Sequence, residues 1–233
     1  MGVVVVTGGA SGIGAEIVRR LHERPTTAVV VVDGDAERLA QMGAGLDGAQ
    51  LRHVDVTDWA AMDALMSDVS GLGPLEAVVA NAGVSCVGPV LEPDPNRWRR
   101  AIEVNTLGVM FTVRAALGQM CEHGVGTIIV VASASGRLSY VGEPAYVASK
   151  HATVAFCDAV RKELVGSGIR MCVVEPGLVD TPMSRSHPMI DEVLGQVRPL
   201  DVDDIARSVE FVLDQPPHCA INEILIRPTN QDL

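Results

Sequence analysis

The chain has 233 residues, of which 48% are hydrophobic and 20% charged, a composition that suits one globular unit with a large apolar core and excludes the disordered, fibrous and low-complexity classes. Its 29 Asp and Glu against 18 Lys and Arg give a net charge of −11, which opposes electrostatic binding to nucleic acid or to an anionic membrane. The five cysteines, at 86, 121, 157, 172 and 219, form no Cys-x-x-Cys pair, and the six histidines lack metal-ligand spacing, so a reduced, metal-free cytoplasmic protein is expected.

The first apolar run, Val3 to Val6, is ended by Gly8 and Gly9. It is too short for a signal peptide or a membrane span and reads as a buried strand. Thr7-Gly-Gly-Ala-Ser-Gly12-Ile-Gly14 follows, opening a helix expected over 12–23. A glycine turn between strand and helix lets backbone N–H groups and the positive helix end hold a pyrophosphate. A Gly-Lys-Ser/Thr triphosphate signature is missing from this turn. The alternative is a turn needed only to pack helix on strand.

A second strand at 28–32 leads to Asp33, about twenty residues beyond the glycines, where a carboxylate accepts hydrogen bonds from ribose hydroxyls and repels a 2′-phosphate. Ser11 and Gly34 bring no compensating positive charge, so NAD is expected in preference to NADP, which stays as the alternative. Asp33 also reads as a turn residue before a helix over 36–45 capped by Asp35.

Strands and helices then continue to alternate. A weaker strand at 50–54 precedes Asp55-Val56 and a helix over 58–70; a strand at 75–80 precedes Asn81-Ala-Gly83 and a helix over 95–121 that carries Asn105. A strand at 127–131 precedes Ser133 and Ser135, and a helix runs over 146–166. A strand at 169–174 precedes Pro176-Gly177 and Thr181; a helix over 202–214 and a strand at 221–226 complete the chain. Runs such as Ala28 to Val32 are apolar on both faces, as in a parallel sheet covered by helices on both sides. The expected fold is α/β: one Rossmann-like, doubly wound domain over 1–233, with about seven parallel strands and the ligand at their carboxyl ends.

Tyr146 and Lys150 lie one helical turn apart on the same face. A phenol with a pKa of about 10 is a poor base near neutrality, but a nearby cation favours the phenolate. The same spacing is common on helices with no such role.

Taken in order, these features resemble the short-chain dehydrogenase/reductase family over essentially the whole chain. Thr7 to Gly14 resembles its cofactor loop, Asn81-Ala82-Gly83 its Asn-Ala-Gly segment, Asn105 its mid-helix asparagine, and Ser133 with Tyr146-x-x-x-Lys150 its catalytic group. Asp55-Val56 resembles its adenine contact, and Pro176, Gly177 and Thr181 its nicotinamide loop. The resemblance implies cofactor contacts from Gly8, Ser11, Gly12, Ile13, Gly14, Asp33, Asp55, Val56, Asn81, Ala82, Gly83, Tyr146, Lys150, Pro176, Gly177, Val179 and Thr181, with Asn81 largely supporting the sheet.

It further implies that Tyr146 is the general acid in carbonyl reduction and the base in alcohol oxidation, while Lys150 lowers the Tyr146 pKa and holds the nicotinamide ribose. Ser133, thirteen residues before Tyr146, would orient the substrate oxygen, with Ser135 as a neighbouring substrate contact. Asn105 would position a water linking Lys150 to solvent. A homodimer or homotetramer built partly from helices 95–121 and 146–166 is implied as well.

The expected activity is NAD(H)-dependent interconversion of a secondary alcohol with a ketone or aldehyde. An NADP-dependent carbonyl reductase, an enzyme for sugar or steroid hydroxyls, and a dinucleotide-binding regulator without turnover are the alternatives. Intact Ser133, Tyr146 and Lys150 speak against the regulator. Cys86, Val87, Ser135, Leu138, Tyr140, Leu178, Met183 and Met189 are expected around a small or medium, partly apolar substrate, and Arg185 and His187 are candidates for an acidic group on it or for a solvated loop. The tail from Ile221 departs from the Gly-x-Asp-Gly-Gly ending of ketoacyl-reductase-like members, against a fatty-acid role.

Overall fold

The computed structural model describes residues 2–91, 94–187 and 194–232. Seven strands, β1 (Gly2–Thr7), β2 (Thr27–Asp33), β3 (Gln50–His53), β4 (Leu75–Ala80), β5 (Gly126–Val131), β6 (Ile169–Pro176) and β7 (Glu223–Ile226), form one sheet in the order β3-β2-β1-β4-β5-β6-β7. Every neighbouring pair is parallel, so the doubly wound α/β architecture expected from the alternating elements is the one found.

Alternate valines of the strands explain the layers, because successive side chains point to opposite faces. Val3, Val5, Val30 and Val32 pack with Met62 and Leu65 of α3 (Trp59–Val69), with Val113 of α5 (Val109–His123) and with Cys157 of α6 (Pro144–Glu163). Val4, Val6, Val29 and Val31 pack on the other face with Ile17 and Leu21 of α1 (Gly12–His22), Leu39 of α2 (Ala36–Gly43) and Ile205 of α8 (Val202–Leu213). The direction in which successive strands are added to the sheet reverses between β1 and β4, where Thr7 lies opposite Ala80. A crevice opens at the carboxyl ends of the strands at such a switch point.

Two helices differ from the sequence expectation. The segment 95–121 is not one helix: α4 (Pro95–Ile102) passes through a π-helical stretch, Glu103–Gly108, before α5 begins. The wider turn lets Gly108 approach Val56 so closely that an added Cβ would lie 2.6 Å from Val56 Cγ2, and it carries Asn105 toward its partners. Helix α6 starts at Pro144, which suits a first helical position because its missing N–H needs no partner there. Tyr146 therefore sits in its first turn.

Candidate active site

The glycine turn joins β1 to α1 with Gly8 at φ +62° and Gly12 at φ +52°, a left-handed conformation that side chains resist. Gly14 is held against it: an added Cβ would lie 2.1 Å from the Gly8 carbonyl oxygen and 2.5 Å from Asn81 Nδ2. Ser11, at the N-cap of α1, makes no side-chain capping hydrogen bond. The first N–H groups of α1, around Gly12, Ile13 and Gly14, are thus not occupied by the cap, as a pyrophosphate at a helix N-terminus requires. These residues fit a dinucleotide.

At the end of β2, the Asp33 carboxylate accepts from Ala10 N at 3.0 Å and from Asp35 N at 3.0 Å. Each oxygen keeps capacity for a second donor, which suits a ribose diol. Beyond β3, Asp55 Oδ1 accepts from Thr57 N and Oγ1 at 2.9 and 2.8 Å, and Oδ2 pairs with Arg100 at 3.0 Å. These hydrogen bonds and the guanidinium hold the Asp55 carboxyl below its ordinary range against the opposing effect of burial. An adenine amine would share Oδ2 with Arg100. Val56 is buried against Gly108.

Asn81 braces the switch point. Its Nδ2 donates to the Thr7 and Gly8 carbonyls at 3.1 and 3.0 Å, and its N and that of Ala82 donate to Thr7 Oγ1 at 3.1 and 3.2 Å. Ala82 contacts Gly8, and Gly83 lies beside Asn105 Oδ1 and Lys150 Nζ. Asn105 is completely buried. Its Oδ1 accepts from Val84 N at 2.8 Å, and its Nδ2 donates to the Val84 carbonyl and to Ser149 Oγ, both at 3.0 Å. Both amide hydrogens are committed, so a water could meet this residue only at an acceptor: Oδ1, which already accepts from Val84 N, or the backbone carbonyl, which already accepts from Thr153 Oγ1 at 2.7 Å.

Ser133, Tyr146 and Lys150 meet below this crevice. The nearby Ser133 hydroxyl favours the ionised form of the Tyr146 phenol; Ser133 Oγ accepts from Ser135 N at 3.1 Å. Ser135 is buried in the single helical turn that follows. Lys150 Nζ lies 5.7 Å from the Tyr146 ring centroid and donates to the Val131 carbonyl at 3.3 Å. The sequence expectation was a lowered phenol pKa. Instead, burial pushes Tyr146 up to about 12, Ser133 opposes that rise and the Glu143 charge adds to it. Lys150 is itself pushed down to about 8 by burial. Desolvation thus outweighs the cation in the protein without a ligand.

At the end of β6, Pro176 pairs with Ile226, and just beyond it Gly177 N donates to the Ile226 carbonyl at 2.7 Å. Val179 bridges to Leu200. Thr181 caps a short turn, α7 (Pro182–Arg185), and its Cγ2 would lie 3.5 Å from a Cβ at Gly12. This places it over the glycine turn. The two charged candidates for an acidic substrate group have partners within the chain: Arg185 bonds Asp180 at 2.6 and 2.7 Å, and His187 Nε2 lies 3.3 Å from Glu143 Oε1.

Cys86 is buried, Val87, Leu138, Tyr140 and Leu178 are partly buried, and Met183 is 39% exposed; Met189 lies outside the described residues. Glu143, Ser149 and Thr153 escaped the sequence reading, which had Thr7 only as the start of the glycine motif and not as the anchor of Asn81 and Ala82. Only the Glu-Pro start of α6 at 143–144 offered a local signal for any of them. Among the described residues, no three His, Cys, Asp or Glu side chains are grouped to hold a metal, and no helix is long and apolar enough to cross a membrane.

Comparison with known proteins agrees with this geometry. The family model described as short chain dehydrogenase matches residues 2–189. An uncharacterized oxidoreductase of Staphylococcus saprophyticus is 33% identical over 232 residues, 97% of each chain. Among solved structures, a closed form of serine dehydrogenase complexed with NADP+ superimposes with a TM-score of 0.90 at 28% identity, covering 99% of this chain and 96% of that one. An alcohol dehydrogenase from the archaeon Thermococcus sibiricus complexed with 5-hydroxy-NADP gives 0.87 at 28% identity, covering 100% and 99%. The chain belongs to the short-chain dehydrogenase family, oxidoreductases that act on CH–OH groups with a nicotinamide dinucleotide.

Proposed function

We propose that this protein interconverts a secondary alcohol and a ketone or aldehyde, with NAD(H) as the preferred cofactor. The observation that carries the reading is the convergence of Ser133, Tyr146 and Lys150 at the carboxyl end of β5, beside the glycine turn. A bound nicotinamide dinucleotide supplies the hydride donor or acceptor. Tyr146 passes the proton to or from the substrate oxygen, which Ser133 holds by a hydrogen bond. Lys150 holds the nicotinamide ribose and, once the positive oxidised ring adds its field, helps bring the phenol down from its raised value. Proton exchange with solvent runs from Lys150 through a water on the Asn105 backbone carbonyl, which has room for a second donor beside Thr153.

The Asp33 carboxylate, aimed at the ribose position by two backbone donors, supports NAD over NADP; the NADP complexes among related structures keep NADP as the second reading. We read the chain as one domain over 1–233 that assembles with copies of itself. The exposed Ile102 and Leu107 at the α4–α5 junction support that assembly, and light scattering tests it.

The functional test is NADH and NADPH oxidation over a panel of ketones and aldehydes, and NAD+ reduction with secondary alcohols and with serine. Serine enters the panel because of the serine dehydrogenase likeness. Turnover that Tyr146→Phe abolishes supports the reading. Tight NADH binding with no turnover across the panel would leave a dinucleotide-binding regulator.

A further inference from the structure

Glu175, next to last in β6, is completely buried. Val173, two residues earlier, packs on the α6 side of the sheet with Cys157, so the Glu175 side chain points to that side as well. A carboxylate there needs a counter-charge, and Arg137 supplies it: the guanidinium Nε donates to Glu175 Oε2 at 2.7 Å and to Oε1 at 2.9 Å. The same guanidinium reaches Glu223 of β7 through Nη2, and Arg161 of α6 donates to the other Glu223 oxygen at 3.1 Å.

Arg137 follows directly on the turn that begins at Ser133. The chain leaves the sheet after Ala132, whose N donates to the Val174 carbonyl at 2.8 Å. Beyond it the backbone N–H groups bond within the turn: Ser135 N to Ser133 Oγ at 3.1 Å, Gly136 N to the Ser133 carbonyl at 2.8 Å and Arg137 N to the Ala134 carbonyl at 3.0 Å. These bonds shape the turn without aiming it. Contacts outside the turn do that. Gly136 lies against α6, where an added Cβ would be 3.1 Å from the Lys150 carbonyl oxygen and 2.6 Å from Val154 Cγ2, and Arg137 clasps Glu175. The Glu175 end is fixed, because Pro176 pairs with Ile226 and Gly177 N donates to the Ile226 carbonyl.

We infer that Arg137 and Glu175 are positioning residues: a buried ionic clasp that holds the Ser133 turn between β6 and the helix of Tyr146 and Lys150, and so sets where the Ser133 hydroxyl meets the substrate oxygen. The inference rests on the assignment of Ser133 as the holder of that oxygen. A buried ion pair is a poor device for stability, since apolar side chains of similar size often serve a fold as well or better. Direction is what the pair adds. A planar guanidinium gripped by carboxylates from two neighbouring strands has one orientation, and the turn attached to it shares that orientation.

Arg137→Met combined with Glu175→Leu tests this, because it replaces the pair by apolar groups and leaves Glu223 with Arg161. The double variant should melt at or above the parent temperature. Hydrogen exchange read by mass spectrometry, with no cofactor or substrate present, should quicken by about tenfold or more in peptides covering 133–138 and stay unchanged in β5 and β6. In turnover, kcat/KM should fall by about tenfold or more through kcat, while NAD+ affinity by isothermal titration stays within a few-fold, since the glycine turn and Asp33 lie on other strands. In a Ser133→Ala background the same change should cost little further, whereas a contact that merely supports the fold would cost the same in both backgrounds. Arg137→Lys keeps a cation and loses the planar grip; it should show the same pattern in smaller measure, and it decides the matter if the apolar variant does not fold.

Exchange in the turn at the parent rate, faster exchange along the whole sheet, or equal losses of kcat/KM with and without Ser133 would overturn the inference. Undiminished turnover in Ser133→Ala strikes instead the role given to Ser133. The exchange rates need no turnover, so they still decide whether the clasp orders the turn.

Discussion

Lys150 lies on the Tyr146 ring side of α6, its Nζ 5.7 Å from the ring centroid, and donates to a neutral acceptor, the Val131 carbonyl. Among the described residues it forms no salt bridge. A buried ammonium without a counter-charge costs folding free energy, and that cost appears as the fall of its pKa from 10.5 to about 8. The residue is kept at the expense of stability, which is expected of a group whose partner is a ligand.

Lys150→Met should therefore stabilise the ligand-free protein at pH 7. Below about 8 both folded and unfolded chains hold the Lys150 proton and the penalty is complete, on the order of 3 kcal/mol. Between about 8 and 10.5 the unfolded chain still holds the proton while the folded one has released it, so stability of the parent rises with pH. The advantage of the variant should shrink across that window. Urea denaturation at pH 7 and pH 10 checks it, and a pH-independent difference would contradict the assignment.

Tyr146→Phe should lower kcat/KM by roughly 10²–10⁴-fold or more, the usual worth of a positioned acid–base group, and leave dinucleotide affinity within a few-fold of the parent. The ring and its contact with Lys150 survive the change, and only the phenol oxygen beside Ser133 is lost. Isothermal titration with NAD+ and steady-state assays separate the two effects. The parent carries a pH signature as well: its phenol, raised to about 12, stays protonated in the fold while the unfolded chain ionises from about 10 upward. Stability from this group is present below pH 10 and declines as pH climbs toward 12.

The sheet and the glycine turn are legible in the sequence because both are local patterns: β-branched runs mark strands, and glycines mark turns wherever they stand. The π-helical stretch at Asn105 is not, since one extra residue per turn changes the hydrogen-bond register without changing composition. The pairs Glu143–His187 and Arg185–Asp180 are tertiary choices that leave no periodic trace; charge alone made His187 and Arg185 look like ligands for a substrate acid. The direction of the Tyr146 shift depended on burial, which spacing to Lys150 does not report. Asn105 was found by its place in a helix, but its committed side chain and the partners Ser149 and Thr153 on α6 needed coordinates.

Asp33→Asn should keep the cofactor turn in place while weakening the choice between cofactors. An amide oxygen can still accept from a backbone donor, as Asp33 Oδ2 does from Ala10 N at 3.0 Å, but the negative charge facing a 2′-phosphate is gone. The ratio of kcat/KM for NADH over NADPH should fall by about tenfold or more, equivalent to roughly 1.4 kcal/mol of relieved repulsion. Asp33→Ala should lose NADH affinity in addition, because it frees Ala10 N and the turn with it. An enzyme that already prefers NADPH strongly in its parent form would refute the reading of Asp33.

Gly14→Ala and Gly34→Ala make the sharpest contrast, because the two glycines flank the same cofactor region and differ only in what surrounds them. At Gly14 the new Cβ would overlap the Gly8 carbonyl oxygen at 2.1 Å and Asn81 Nδ2 at 2.5 Å. The first is backbone, and the second is an amide held by two hydrogen bonds to β1 and the turn, so neither can yield without pulling α1 from the sheet. Overpacking of this kind costs about 1–3 kcal/mol or more, and the shift should also abolish dinucleotide binding by displacing the first turn of α1. At Gly34 nothing lies within 4 Å of the new Cβ and φ is not positive, so stability should change by no more than about 0.5 kcal/mol. Chemical denaturation with a thermal-shift assay in NAD+ reads both quantities. If Gly14→Ala keeps NAD+ binding, the close approach of α1 to the Gly8 carbonyl is not what positions the turn.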